Sequence, residues 1–189
     1  MRDLYLLRHT AVDVPEGLCY GDSDVPLADT AEDDINSALA RLPASARQTP
    51  HVISSPSGRC ARLARALSAS ASTDARLKEF NFGAWEGQRW QHIPALQIAL
   101  WSANVVNVRA PGGENLRDVA NRASACVQAA LAQTDDTIVL VTHGGVIRAL
   151  IAELVKIPLD TITRFNIGFG RSTCVRLHPQ HAELQYVNR

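Results

Sequence analysis

Two hydrophobic patterns alternate along the chain. Leu4-Tyr5-Leu6-Leu7, His51-Val52-Ile53-Ser54 and Thr137-Ile138-Val139-Leu140-Val141-Thr142 are short segments with continuous apolar runs, bounded at once by polar residues. Runs of this length suit strands buried on both faces better than helices. Between them the spacing becomes helical. Ile35, Ala38, Leu39 and Leu42 fall at i, i+3, i+4 and i+7, which predicts a helix that Thr30 caps, with Asp33 three residues on, and Pro43 stops. An alanine-rich helix is expected from Gly58 to about Ser70, fraying into a loop over the small polar run Leu67 to Thr73. Leu116, Val119, Ala120, Ala123, Val127, Ala130 and Leu131 line one face of a helix expected from Glu114 to about Ala132. Val146, Ile147, Leu150, Ile151, Leu154 and Val155 do the same before Pro158.

The remaining stretches read as connections. Ala11 to Ala28 carries Pro15, Gly17, Gly21 and Pro26, too many breakers for a regular element. Ala75 to Phe80 is expected to add a short strand, and residues about 85–112, with Trp90, Pro94 and Trp101, a cap of short helices. Ser172 to Leu177 and Ala182 to Val187 flank His178-Pro179-Gln180-His181 and predict an antiparallel hairpin at a sheet edge. The alternation of strands and helices predicts an α/β fold. Its form would be a three-layer helix-sheet-helix sandwich with a mostly parallel sheet, an antiparallel edge and a small helical cap, residues 1–189 making one domain.

Composition narrows the partners. With 189 residues and 46% hydrophobic content the chain can bury one sizeable core. Lysine plus arginine equals aspartate plus glutamate at 19 each, so no global field draws nucleic acid or an anionic membrane, and neither is expected as a partner. A bound anion must be held by local charge. Lys78 and Lys156 are the lysines and the other basic residues are arginines, whose planar fork suits phosphate or carboxylate. Cys19, Cys60, Cys126 and Cys174 are scattered, which reads as packing residues in a reducing compartment. The amino-terminal apolar run is too short for a signal h-region, and no stretch of about 18 apolar residues occurs. A soluble, cytoplasmic protein is expected.

Three strands end in polar clusters: Arg8-His9, Ser54-Ser55-Pro56-Ser57-Gly58-Arg59, and Thr142-His143-Gly144-Gly145. In a mostly parallel sheet those ends share one rim, where such folds place ligands. Two histidines, two arginines and helix amino termini would make a cationic pocket, for which a dianionic phosphoryl group is the natural ligand. Zinc is a weak rival, because the two histidines lack an HxxxH or cysteine cluster and the arginines disfavour a cation. GxxxxGK[ST], GxGxxG after a strand and GxSxG are all absent. Histidine remains as the nucleophile.

The segments Leu7-Arg8-His9, Ser54-Ser55-Pro56 followed by Arg59, Glu79 with Phe82-Gly83-x-Trp85-Glu86-Gly87, and Thr142-His143-Gly144 resemble, in order, the signatures of the histidine phosphatase superfamily, which includes phosphoglycerate mutases. Arg8-His9-Thr10, the Gly17 to Leu27 segment and Pro111-Gly112-Gly113-Glu114 resemble more closely the α-ribazole phosphatases of cobalamin biosynthesis. The resemblance implies that His9 attacks phosphorus, that Arg8, Arg59, His143 and the Gly144 N–H clamp the phosphoryl oxygens, and that Thr10, Tyr20 and Gly21 belong to the substrate site. Glu79 would be the general acid, with Glu86 and Glu114 as rivals and Phe80, Phe82 and Trp85 as an apolar wall that raises its pKa. No metal or cofactor is implied, and the substrate would be a small phosphate monoester, first of all α-ribazole 5′-phosphate. Alternatives are a broad-specificity sugar or nucleotide phosphatase, a mutase, or a non-catalytic binder of phosphorylated ligands. The chain departs from the pattern at Thr10 and Ala11, and Asp13 and Pro15 stand where relatives carry an asparagine. A mutase would carry insertions that this chain lacks. His51, His92, His178 and His181 fit no motif and read as structural or solvent histidines, and Arg62 and Arg65 as a solvated face.

Overall fold

The computed structural model describes residues 1–48 and 50–189. Six strands form one sheet: β1 (Arg2–Arg8), β2 (His51–Ser54), β3 (Ser72–Thr73), β4 (Ile138–Thr142), β5 (Ser172–Leu177) and β6 (Ala182–Tyr186), in the order β3-β2-β4-β1-β5-β6. The first four of that order are parallel, and β5 and β6 add antiparallel. The continuous apolar runs fall on β1, β2 and β4. Alternate residues of each serve opposite faces, as the pleat requires. Leu4, Leu6, Ile53, Ile138 and Leu140 pack with α4 (Leu116–Gln133) and α5 (Gly144–Val155). Tyr5, Leu7, Val52, Val139 and Val141 pack with α1 (Ala31–Arg41) and α2 (Gly58–Leu67). The result is the expected helix-sheet-helix sandwich. Over the first face lies the helical cap, built from a 3-10 turn at Trp90–His92 and α3 (Ala95–Ala103).

The region after α2 departs from expectation. That helix stops at Leu67, the short edge strand β3 lies at Ser72–Thr73, where a loop was expected, and Ala75 to Phe80 is no strand but a 3-10 turn at Ala75–Leu77. The Asp74 carboxylate accepts the Arg76 N–H and so closes the turn, while Leu77 is fully buried and its carbonyl accepts Thr142 Oγ1 at 2.7 Å. Local hydrogen bonding and one anchoring side chain thus prevail over the weak alternation that suggested a strand. Thr30 stands at the amino end of α1 but makes no side-chain cap, its hydroxyl donating instead to Asp34. The helix expected from Glu114 begins at Leu116, because Asn115 and Asp118 form a reciprocal capping box.

Candidate active site

Strand register brings the three polar clusters together. Arg8 pairs with Thr142 and Ser54 with Val141. The chains then leave the sheet side by side, the His9 N–H bonding to Thr142 O at 3.0 Å and the Ser55 N–H to Val141 O at 2.9 Å. The His9 and His143 rings meet edge to face with centroids 5.1 Å apart, and both residues are buried. Beside them is a cavity of about 520 Å³, lined by Arg8, His9, Tyr20, Arg59, Glu79, His143, Gly145 and Arg148.

The imidazoles are neutral for a physical reason. Burial, reinforced by the charge on Arg8, pushes the His9 pKa down to about 3, and burial with the neighbouring His9 and arginines holds His143 well below its ordinary value. His9 Nδ1 sits 2.8 Å from Thr10 O. A carbonyl only accepts, so Nδ1 carries the proton and Nε2 keeps its lone pair. His143 Nε2 lies 2.9 Å from Ser55 Oγ and 3.5 Å from Cys60 Sγ, whose thiol burial pushes up and keeps neutral.

The two arginines are held in different ways. Arg59, fully buried, donates from Nη1 to Ser23 O at 2.7 Å and from Nη2 to Gly21 O at 2.6 Å. Arg8 donates to Ile167 O and lies with its guanidinium 3.8 Å from the Phe169 ring centroid. Each Nε is buried without a hydrogen-bond partner among the described residues.

The three carboxylates separate cleanly. Glu79 lines the cavity, its Oε1 accepting the Phe80 N–H at 3.0 Å and its Oε2 the Gly145 N–H at 3.0 Å. Glu86 does not line it. Although burial opposes ionisation, hydrogen bonds from Ser23 and from the N–H groups of Phe82 and Asp22 hold Glu86 below the usual carboxylate range, where it ties down the 22–23 backbone. Glu114 is committed to Arg122 at 2.7 Å and to the Asn81 N–H at 2.9 Å. Phe80 and Phe82 form part of the cavity wall with Trp90 and Trp101, whereas Trp85, fully packed behind them, does not reach it.

The other expected substrate residues fall in different places. Tyr20 lines the cavity, its ring centroid 5.7 Å from the Arg59 guanidinium carbon. Thr10 is buried beneath His9, with its carbonyl on Nδ1. Gly21 lies outside the cavity lining, holding Arg59 through its carbonyl, and a side chain there would strike Phe80 O at 1.9 Å. Gly144 opens α5 against Arg8, where a Cβ would stand 3.4 Å from the guanidinium. Two charged residues at or near the cavity were not anticipated. Arg148, one helical turn beyond Gly144, lines the cavity while its Nε donates to Phe165 O at 2.8 Å; its i+4 spacing from Gly144 was the available signal. Arg122 donates to the carbonyls of Arg76, Lys78 and Glu79 and so fixes the segment that carries Glu79.

A mostly parallel α/β sheet with two neutral imidazoles and three guanidinium groups in one cavity at its carboxyl rim defines the class of site. Residues 4–189 match the histidine phosphatase superfamily (branch 1), and the chain belongs to that superfamily. Among curated relatives, the glucosyl-3-phosphoglycerate phosphatase of Mycolicibacterium vanbaalenii is 31% identical over 94% of this chain and 84% of its own length. The mycobacterial glucosyl-3-phosphoglycerate phosphatase in complex with inorganic phosphate superposes with a TM-score of 0.86 at 26% identity, covering 100% of this chain and 98% of that one. The α-ribazole phosphatase of Shigella flexneri shares the fold at a TM-score of 0.86 and 21% identity, covering 99% of this chain and 96% of its own.

Proposed function

We propose that the protein is a phosphomonoesterase that works through a phosphohistidine on His9 and needs no metal. The observation that carries this reading is the Nδ1 contact to Thr10 O within a cavity that holds Arg8 and Arg59, since it leaves Nε2 neutral and unprotonated beside the positive charges that would bind a phosphoryl group. Nε2 attacks phosphorus and the ester P–O bond breaks. Arg8, Arg59, His143 and the Gly144 N–H stabilise the oxygens, each charge-assisted bond contributing roughly 1.5–3 kcal/mol. Glu79 delivers a proton to the departing alcohol. As its conjugate base it then takes one from water, which attacks the phosphohistidine and releases phosphate as the P–N bond breaks.

For the substrate we infer α-ribazole 5′-phosphate first. Leu18, Phe80, Phe82, Trp90, Trp101, Val105 and Leu116 make most of the wall away from the phosphoryl end apolar, and Trp90 and Trp101 lie with centroids 6.2 Å apart and ring planes inclined at 26°. Such a wall suits a leaving group that carries a flat, weakly polar base. A second reading, glucosyl-3-phosphoglycerate, is favoured by Arg148, a further cation for a carboxylate, and by the mycobacterial relative named above. Phosphate release from both esters, 3-phosphoglycerate and simple sugar phosphates, in the presence of a chelator, decides among them. His9→Ala should abolish turnover and the acid-labile phosphoenzyme together; survival of either overturns the nucleophile assignment, and loss of activity with chelator overturns metal independence.

A further inference from the structure

At the opposite end of the sheet from this cavity, the hairpin between β5 and β6 gathers a second set of histidines. Leu177 pairs with Arg2 at the start of β1, whereas His9 follows its end. Seven strand residues therefore separate the two regions, roughly 20 Å at the usual rise. Pro179 and Gln180 form the turn, closed by the His178 N–H donating to His181 O at 2.9 Å. Residues facing each other across such a turn share one face of the ribbon, and a residue two further along a strand shares it too. The turn thus places His178, His181 and Glu183 on one face.

Their side chains converge. The two imidazoles stack with centroids 4.4 Å apart and an interplanar angle of 4°. His181 Nε2 lies 3.2 Å from Glu183 Oε1, and His178 Nε2 lies 3.4 Å from Glu183 Oε2. The second contact is too poorly aligned for a hydrogen bond, which leaves His178 Nε2 buried and without a partner among the described residues. Among the described residues this is the one group of three histidine, cysteine or carboxylate side chains whose ligating atoms all lie within 4.8 Å of one another. Beside it is a cavity of about 620 Å³ between the hairpin, α4 and α5, whose charged lining residues include Glu153 and Lys156. Arg176, which pairs with Glu183 across the strands, is occupied by Asp3 at 2.8 Å, so it does not compete for the carboxylate.

We propose that His178, His181 and Glu183 form a binding site for one divalent late first-row transition ion, zinc being the natural probe. Two imidazole nitrogens and a carboxylate oxygen are ligands this class accepts, and three protein ligands leave a further position for water. Zinc–ligand bonds of about 2.0–2.2 Å require the donor atoms to draw somewhat closer than they stand. His181 and Glu183 are exposed enough to swing, with side chains 59% and 49% accessible. An ion here would staple the outermost strand pair beyond the reach of the phosphoryl site.

The test is calorimetric titration of the full chain, stripped with chelator, with zinc chloride, beside nitrogen-15 NMR of the imidazoles. One saturating equivalent at micromolar zinc is expected, with the His178 and His181 resonances moving and the melting temperature rising. His181→Ala and Glu183→Gln, both at exposed positions, should each weaken binding at least tenfold while leaving turnover of p-nitrophenyl phosphate unchanged. Binding that is equal in wild type and both variants overturns the proposal. So does zinc that perturbs only His9 and His143, a result the wild-type spectra reveal without any variant.

Discussion

Gly145 shows how closely the site is built at the scale of single residues. Its N–H donates to Glu79 Oε2, and a Cβ at this position would stand 2.5 Å from Oε1. Gly145→Ala must therefore displace the carboxylate rather than fill space. If Glu79 is the general acid, kcat for alkyl phosphates should fall by about 10²-fold or more, while p-nitrophenyl phosphate, whose leaving group needs little protonation, loses far less. Glu79→Gln should show the same split. Equal losses on both substrates would instead mean that the alanine disturbs the cradle at the start of α5. Much of this site was legible at the residue level, because Arg8-His9 and His143 each stand where an apolar run stops. The choice among Glu79, Glu86 and Glu114 was not. All three lie near aromatic or turn residues in sequence, and only the folded chain shows Glu86 saturated by the 22–23 backbone and Glu114 by Arg122.

At the scale of elements, α4 connects the cap to the segment that carries Glu79. Asn115 Oδ1 accepts the Asp118 N–H at 2.9 Å, Asp118 returns the bond to the Asn115 N–H at 3.0 Å, and Asn115 Nδ2 reaches back to Asn107 O at 3.1 Å. The first turn also donates to the carbonyls of Val105 and Val106, behind α3. Asn115→Ala should lower stability by about 1 kcal/mol from the lost cap, a drop in melting temperature of roughly 2–4 °C for a chain of this size. Asn115→Asp keeps an acceptor and should recover most of it. Equal losses in both would place the energy in the bond to Asn107 instead of the cap. Elements with strong internal periodicity, such as α4, α5, β1 and β4, were readable from spacing alone because burial dictates their pattern. The 72–77 region was not, since β3 has two residues and its neighbour is a 3-10 turn that Asp74 closes locally and that the Leu77 carbonyl ties to the distant Thr142.

Across the whole molecule, the same burial that keeps the His9 imidazole neutral makes the fold sensitive to acid. In the unfolded chain its imidazole takes a proton near pH 6.5, whereas in the fold burial and Arg8 delay protonation to about 3. Between those values the unfolded state binds more protons, so stability falls as pH falls, at up to about 1.4 kcal/mol per pH unit for this one group. His143, lowered chiefly by burial, adds in the same direction. From pH 7 to pH 5 the His9 contribution alone amounts to about 2 kcal/mol. That drop is a large share of the 5–15 kcal/mol typical of a folded domain. Carboxylates held low, such as Glu86, lose their contribution only further down, below the ordinary carboxylate value. Urea unfolding of wild type and His9→Asn at the two pH values isolates the effect, because asparagine does not titrate. The variant should lose about 2 kcal/mol less on acidification. An identical loss in both proteins would show that His9 takes up its proton in the fold as readily as in the open chain, and with that the neutral imidazole on which the phosphohistidine reading depends would lose its basis.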